Sequence, residues 1–344
     1  MKLSAAVVTL ATAIILPGMD QSCGQEPAPK RKLPPAQRVP GQPPPAALLP
    51  ADIGAPTALP EPGVRRALIV CGLTGDAEHR TLFAETVEKL FAGLTTRLGF
   101  APEDVTIFFG DEATEKDGPA LKASRGTASR ERLAESAADL EQAVQPGDAL
   151  WVFVFGHAHY DGRAAWLNLP EEDLNQVEFG KLFADIGCRE QVFFITTAAS
   201  GFFLKPLASP GRVVIVATEP DLEVNETLFP HKLVKALVEP PPMAEFDVDG
   251  DGLPTLLDAY LFAARETAKE YAAGELLATE HAMLDDDGDG RGTELQVDYL
   301  PVELGGRLRP GRPQPPQRAG DGARARGILL PLPPEAPAVE DAQP

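Results

Sequence analysis

The chain has 344 residues, of which 44% are hydrophobic and 24% charged, a composition typical of a globular protein with a substantial core. Its formal net charge of -20 argues against nucleic acid as a partner, because phosphate binding needs a concentrated basic surface. Most of the 35 prolines lie in residues 27–63 and 301–344, which predicts two tails around a compact middle.

Residues 1–22 are predicted to be a secretory signal peptide. One lysine precedes an apolar and small-residue stretch at 3–16, which is too short to span a bilayer comfortably. The alternative is a buried N-terminal strand or helix, which the following Pro/Ala-rich linker at 23–63, expected to be disordered, disfavours. We therefore expect an exported protein, periplasmic or extracellular, with no transmembrane helix in the mature chain. Lipid anchoring at Cys23 has weak support, because the expected apolar residue three positions earlier is missing.

Residues 64–240 alternate strands and helices. Short apolar runs predict five buried strands, at 65–72, 105–110, 149–155, 191–197 and 212–218. Helical spacing of apolar residues predicts helices at 81–98, 128–144, 177–186 and about 226–238. This alternation favours an α/β fold, a mainly parallel sheet with helices on both faces. The chemistry of such sheets lies at the carboxyl ends of the strands.

An acidic segment follows at 241–300, and it opens with the pattern of an EF-hand loop. Carboxylates alternate, a glycine takes the sixth position, and a helix over 255–273 follows. The aspartate at position twelve is shorter than the usual glutamate, and prolines at 240–242 leave no convincing helix before the loop. We expect a calcium site rather than a solvated turn, with ligands Asp247, Asp249, Asp251, the Leu253 carbonyl, Thr255 and Asp258.

A second acidic loop is a poorer copy of the first. Asp285, Asp287 and Asp289 fit the pattern, but position twelve is Gln296, and the alternative carboxylate is Glu294 at position ten. A metal site and a solvated loop are equally compatible with it. Any calcium is expected to be structural. The remaining tail, 301–344, is Pro/Arg-rich and expected to be mostly disordered, although 327–332 is apolar enough to dock on the domain.

Two cysteines lie inside the predicted α/β region. Cys71 ends the first strand and Cys188 precedes the fourth, so a parallel sheet places them at opposite edges. We expect two buried thiols and no disulfide.

Two neighbouring strand ends carry the candidate chemistry. His157 follows the third strand directly, and a small-residue turn, 196–201, follows the fourth. Adjacent parallel strands would bring these ends within reach, as a base and a nucleophile require. From spacing alone, a polar loop containing His157 and His159 is an equally good interpretation.

At these residues the sequence resembles the legumain-like cysteine peptidases, the C13 family of the caspase-like fold, over roughly 65–238. His157 aligns with the family's catalytic histidine, and Ser200 with the serine of its Ala-Cys-x-Ser-Gly motif. Ala198 then stands at the cysteine position. Arg80 matches the arginine of the family's specificity pocket, and 164–174 looks like bacterial members, many of which lack the cysteine. The resemblance implies a caspase-like three-layer sandwich, to which the acidic segment adds a calcium-loop and helix extension.

Two departures from the family pattern point to lost activity. Ala198 cannot form an acyl-enzyme, since a methyl group has no lone pair. The family's His-Gly pair is His157-Ala158 here, and a Cβ at Ala158 would crowd the oxyanion site. The main hypothesis is a pseudopeptidase, with His157 and Arg80 in place, that binds a peptide or protein. One alternative is a hydrolase of the same fold that uses Ser200 with His157, and another is a calcium-stabilised structural protein.

Overall fold

The computed structural model of the chain describes residues 63–221, 223–309 and 320–332. The predicted signal peptide, nearly all of the linker with Cys23, and the rest of the tail lie outside the described residues. The strands are β1 (Arg65–Cys71), β2 (Val105–Phe109), β3 (Ala149–Phe155), β4 (Ala158–Tyr160), β5 (Ala165–Leu167), β6 (Leu174–Asn175), β7 (Glu190–Ile195), β8 (Arg212–Val216) and β9 (Met283–Asp285). The helices are α1 (Ala77–Thr96), α2 (Pro119–Lys122), α3 (Arg130–Ala143), α4 (Gln176–Leu182), α5 (Leu204–Leu207), α6 (Phe229–Val238), α7 (Met243–Phe246), α8 (Leu256–Ala273) and α9 (Gln296–Tyr299).

The main sheet has six strands in the order β2-β1-β3-β7-β8-β9. The first five are parallel, and the short β9 runs antiparallel to β8. The five predicted strands and the predicted helices are confirmed to within a few residues. In register, Val154 of β3 faces Ile195 of β7, so the segments that follow these strands emerge side by side. A separate antiparallel sheet, β4-β5-β6, follows β3 and was not predicted.

The sheet is buried on both faces. One apolar cluster joins α1, α6 and α8 to the sheet, with Phe153 and Phe194 stacked at 4.4 Å between ring centroids. The other joins α3 and α4 to the opposite face, around residues such as Phe179 and Val152. The architecture is thus three layers, helix–sheet–helix, and its near-continuous apolar strands are those that parallel sheets require.

The helices begin where polar side chains satisfy their first N–H groups. The Asp76 carboxylate accepts hydrogen bonds from the amides of Glu78 and His79 at the start of α1. Thr255 and Asp258 form a reciprocal capping box at the start of α8. Both devices orient an acidic side chain at a helix N-terminus, where the dipole stabilises negative charge.

The acidic segment packs into the same core as the α/β region. Tyr260 of α8 is fully buried, with its ring centroid 6.0 Å from that of Phe229 of α6. Strand β9, which begins the second acidic loop, completes the main sheet. The predicted boundary at 240 therefore does not separate two cores.

Part of the predicted disordered tail is docked. The Leu256 amide donates to the Ile328 carbonyl at 2.9 Å, and the Leu330 amide donates to the Pro254 carbonyl at 2.8 Å. Ala325 and Leu330 are buried in the core that contains α8. Within the region predicted to be mostly disordered, the structure describes 301–309 and 320–332, and the latter lies against the domain.

The two cysteines are free and lie at opposite ends of the sheet, as predicted. Cys71 is fully buried, and burial raises the pKa of its thiol. Cys188 is only half-buried, because its segment precedes β7 at the edge of the core, so the prediction of two buried thiols holds for one. Of the helices in the described ranges, none combines the length and apolar character needed to cross a bilayer.

Candidate functional site

The candidate cleft lies at the carboxyl edge of the main sheet, where the chain leaves β3 and β7. Gly156 follows β3 with φ 98°, and a Cβ there would lie 2.9 Å from the Gly72 nitrogen. Only glycine fits such a left-handed position against neighbouring backbone. This close approach of the strand ends places His157 beside the loop that follows β1.

His157 is oriented by a backbone group. Its Nε2 lies 3.0 Å from the Thr74 carbonyl oxygen. A carbonyl can only accept, so Nε2 carries the proton, and Nδ1 is the basic nitrogen of the neutral ring. Nδ1 makes no hydrogen bond with any residue the structure describes. The ring packs edge-on against Phe83 at 5.9 Å and His79 at 5.4 Å. These contacts fix the orientation of the His157 ring and leave Nδ1 as its acceptor nitrogen.

His79, which sequence reasoning missed, is a second histidine of this cleft. Its Nδ1 lies 2.9 Å from an Asp76 oxygen, and its Nε2 lies 2.7 Å from a Glu226 oxygen. The hydrogen bond to Asp76, helped by the charge of Glu226, raises the pKa of His79. Its neighbour Arg80 drew attention in the sequence, but only the fold shows that His79 faces His157.

In the turn after β7, the hydroxyl groups of Thr196 and Thr197 donate hydrogen bonds to backbone carbonyls. Thr196 Oγ1 donates to the Val154 carbonyl at 2.9 Å, and Thr197 Oγ1 donates to the Ala198 carbonyl at 3.0 Å. Ala198 is 7% exposed, and Ala199 adopts the left-handed conformation with φ 51°. At the predicted nucleophile position the site presents a methyl group.

Ser200 is fully buried and tied to the end of β8. Its Oγ accepts hydrogen bonds from the Ala217 amide at 3.0 Å and the Thr218 amide at 3.1 Å. Thr218 Oγ1 also lies 3.1 Å from Ser200 Oγ. These contacts satisfy the hydroxyl, and none of its described hydrogen bonds involves His157. The structure does not bring the alternative nucleophile and the base together.

Arg80 is paired with a residue of its own chain. Its two terminal nitrogens contact the two Asp117 oxygens at 3.0 and 2.8 Å, in a bidentate pair. The guanidinium lowers the pKa of Asp117 to about 2. The predicted specificity residue therefore braces the loop after β2, and Asp117, its partner, was missed because it lies 37 residues away.

The histidine-loop neighbours have structural roles. Ala158 is buried in β4, and its side chain belongs to the apolar cluster that contains Leu167. His159 is exposed, and its Nδ1 lies 2.7 Å from the Asn168 side-chain oxygen. The polar-loop interpretation fits the exposed His159, whereas His157 is half-buried and bonds the Thr74 carbonyl.

An acidic rim follows β8 on the same edge of the sheet. The Glu223 carboxylate accepts from the Glu219 amide at 2.8 Å and the His281 amide at 3.0 Å, and it also contacts the His281 ring. Burial and the neighbouring Glu294 raise the pKa of Glu219 to about 7. Glu219 and Glu294 lie close together, and the positive charge of His281 only partly offsets their effect on the pKa of Glu219, so this rim can accept a further positively charged group.

In the first acidic loop, carboxylate oxygens of Asp247, Asp249 and Asp258 lie within 4.8 Å of one another. Asp247 accepts from the amide of Gly252 at 3.0 Å, which curls the loop. Asp258 is fully buried and accepts from the Val248 amide at 2.9 Å. The predicted ligands at positions one, three and twelve therefore converge.

Asp249 is the unsatisfied member of this cluster. The residue is 7% exposed, and its Oδ2 is buried with no hydrogen-bond partner in the described structure. Burial, and then the charge of Asp258, raise the pKa of Asp249 to about 6. An unsatisfied buried carboxylate oxygen is costly, so a cation beside it would be stabilising.

The other predicted ligands of the first loop are otherwise engaged. Asp251 lies outside the converging group, and its Oδ2 contacts Arg326 Nε at 2.5 Å. Thr255 Oγ1 donates to Asp258 at 2.7 Å. Leu253 has an exposed side chain, and its amide donates to Asp251 at 2.8 Å. The loop has the EF-hand turn, but Asp251 at its fifth position contacts Arg326.

The second loop brings Asp285, Asp287 and Asp289 within 4.8 Å. Gln296 points away, because its amide nitrogen donates to the Ala282 carbonyl at 2.9 Å and its oxygen accepts from the Tyr260 hydroxyl. Position twelve therefore adds no ligand.

Glu294 and Asp286 have other partners beside this second loop. Glu294 lies near Glu219, and the charge of Glu294 contributes to the raised pKa of Glu219. Asp286, which sequence reasoning missed, is buried and accepts from the amides of Gly322 at 2.9 Å and Ala325 at 2.8 Å. The second loop thus anchors the docked tail, through a residue between its predicted ligands.

Comparisons with known proteins add little to these observations. No protein-family model matches the sequence, and no curated protein matches it. Among solved structures, the chain is similar to the crystal structure of Raptor from Chaetomium thermophilum, with a TM-score of 0.32 and 8% sequence identity. The match covers 54% of this chain and 18% of that chain. A likeness this distant says nothing about function, which has to be inferred from the site itself.

Proposed function

We propose that this chain is an exported legumain-like pseudopeptidase of the caspase-like fold. It binds a peptide or protein segment at the carboxyl edge of the sheet without cleaving it. The order of the parallel strands supports this proposal, because it sets His157 and Ala198 on neighbouring strand ends, as a catalytic pair would be.

The hydrogen bonding of Ser200 is the main support for a protein that does not hydrolyse peptides. A serine nucleophile needs a free lone pair and a base that removes its proton. Ser200 Oγ instead accepts two backbone N–H groups and is fully buried. Ala198 supplies no reactive atom, so the cleft retains a base without a nucleophile.

The acidic rim indicates the chemistry of the ligand. Glu219 and Glu294 share a site that favours an added positive charge, and binding a Lys or Arg side chain would relieve their repulsion. We therefore place a basic residue of the bound segment beside Glu219. The chain's net charge of -20 would draw such a ligand toward the molecule.

We propose a structural calcium ion at the first acidic loop. Asp247, Asp249 and Asp258 would hold it, and the buried Asp249 Oδ2, which accepts no hydrogen bond, supports the fit. Bound there, the ion supplies charge neutralisation and ties the loop to the start of α8. The second loop has weaker support, since Asp287 and Asp289 are exposed and Gln296 points elsewhere.

Peptide cleavage and peptide binding by the same preparation test this proposal. The full chain and a His157→Ala variant are incubated with a combinatorial fluorogenic peptide library, and we expect no cleavage by either. Immobilised chain should enrich Lys- or Arg-containing peptides from a displayed library, and Glu219→Gln should reduce that enrichment. Cleavage that disappears with His157→Ala would overturn the pseudopeptidase proposal.

A further inference from the structure

The docked segment 320–332 reaches the first acidic loop through one arginine. Arg326 Nε lies 2.5 Å from Asp251 Oδ2 and 3.3 Å from Asp249 Oδ2. The Arg326 side chain is 22% exposed and that of Asp249 only 2%. A cation from the chain's own tail therefore stands at the mouth of the carboxylate cluster.

Arg326 and a metal ion would compete for the same two carboxylates. Asp249 Oδ2 is the buried oxygen that lacks a hydrogen-bond donor, and it is also the atom nearest Arg326 in that residue. An EF-hand loop uses positions three and five as ligands, which here are Asp249 and Asp251. An ion held by both would break the Arg326–Asp251 contact and repel the guanidinium.

We propose that divalent-cation binding at the first loop and docking of the tail through Arg326 oppose each other. The inference rests on the cation site of the proposed function and adds its regulation. Coupling between two binding events is reciprocal, so the docked arginine lowers the affinity for the ion by the same factor as the ion weakens docking. The first loop is then a switch between a metal-bound and an arginine-bound state.

The contacts of segment 320–332 indicate which part of it cation binding would displace. Asp286 holds the amides of Gly322 and Ala325, and these bonds belong to the second loop. Beyond Arg326, the Ile328 carbonyl and the Leu330 amide bond the backbone at the start of α8. Cation binding is therefore expected to loosen 326–330, while 321–325 stays anchored on Asp286.

Calcium titration of matched variants tests the coupling. The wild-type chain, Arg326→Gln and Arg324→Gln are titrated with CaCl2 by calorimetry, each also with Asp287→Asn to weaken the second loop. Arg324 is the control, because it is exposed and its side chain makes no ion pair among the described residues. We expect Arg326→Gln to bind calcium at least about fivefold more tightly, and Arg324→Gln to match the wild type.

Hydrogen exchange followed by mass spectrometry gives the second readout. In the wild type, calcium should speed amide exchange in 326–332 more than in 320–325. Equal calcium affinity for wild type and Arg326→Gln, or exchange slowed by calcium, would overturn the coupling and leave the cation site intact. Absence of binding to both proteins, with Asp249→Asn indistinguishable from them, would overturn the cation site itself; the peptidase proposal is judged separately by its cleavage assay.

Discussion

His157 Nε2 donates to the Thr74 carbonyl at 3.0 Å, and this bond leaves Nδ1 as the nitrogen able to take a proton. The strand end beside that of His157 carries Ala198, because β3 and β7 are neighbours in the sheet. A thiol introduced at that alanine is a direct probe of the arrangement.

Ala198→Cys is expected to create a reactive thiol that depends on His157. A base within reach lowers the pKa of a thiol, and each unit of lowering raises the thiolate fraction at neutral pH roughly tenfold. Iodoacetamide labelling at pH 7, in a Cys188→Ser background, measures the rate. Ala198→Cys combined with His157→Ala should react at least about tenfold more slowly. Equal rates would show that the base does not serve position 198.

Ser200→Ala is expected to destabilise the fold rather than to remove an activity. The substitution leaves the buried amide of Thr218 without its acceptor, at a cost of about 1–3 kcal/mol, whereas the Ala217 amide keeps the Ile195 carbonyl at 3.3 Å. Urea unfolding measures the loss. Thr96→Ala, which removes an exposed helix hydroxyl, is the control and should change stability by no more than about 0.5 kcal/mol. A neutral Ser200→Ala would mean that this hydroxyl is free.

Glu280→Gln is expected to alter the pH dependence of stability. Burial raises the pKa of Glu280 from 4.5 to about 7, although the amides of Leu228 and Phe229 bond its carboxylate. The folded state therefore binds this proton more tightly than the unfolded state. The resulting stabilisation is complete below pH 4.5, falls as the pH rises to about 7, and amounts to about 3 kcal/mol.

The measurement is the difference in unfolding free energy between Glu280→Gln and wild type at pH 5 and pH 8. Glutamine cannot ionise, so the difference should shift in favour of the variant at the higher pH. Glu275→Gln, at an exposed position beyond α8, serves as the control and should give a constant difference. A constant difference for Glu280→Gln as well would contradict the raised pKa.

Calcium is expected to stabilise the wild-type chain, and Asp249→Asn to abolish most of that effect. A ligand that binds only the folded state adds about 2.7 kcal/mol at 100 times its Kd. Thermal unfolding with CaCl2 or EGTA measures the increment. Asp287→Asn, an equivalent change in the second loop, should retain most of it. Loss of the increment in Asp287→Asn alone would move the site to the second loop.

The strands that could be predicted from the sequence are those that consist of consecutive apolar residues. β3 is buried at each of its seven positions, so a short apolar run was enough to identify it. β9 has three residues, Met283–Asp285, and is a strand because it pairs with β8 and bridges Thr293. Its aspartate belongs equally to the acidic pattern, and local sequence favours a loop there.

The candidate site was predictable where chemistry follows a strand end, as for His157 and Ala198. The partners that decide what each residue does come from distant segments, as Asp117 does for Arg80 and Glu226 for His79. Sequence spacing cannot rank such pairings, because many carboxylates are available. The same holds for Asp251, whose arginine partner lies 75 residues away in the predicted tail.

The docking of 320–332 also has a consequence for folding during synthesis, because the start of α8 is made before the segment that packs against it. A polypeptide emerging from its N-terminus presents the first acidic loop, with its buried carboxylates, well before Arg326 has been synthesised. During that interval Asp249 and Asp251 lack their ion pairs with Arg326, and the Leu256 amide has no Ile328 carbonyl to bond. A segment made well after α8 thus closes a gap at the start of that helix, and a chain truncated at residue 309 would keep that gap permanently open.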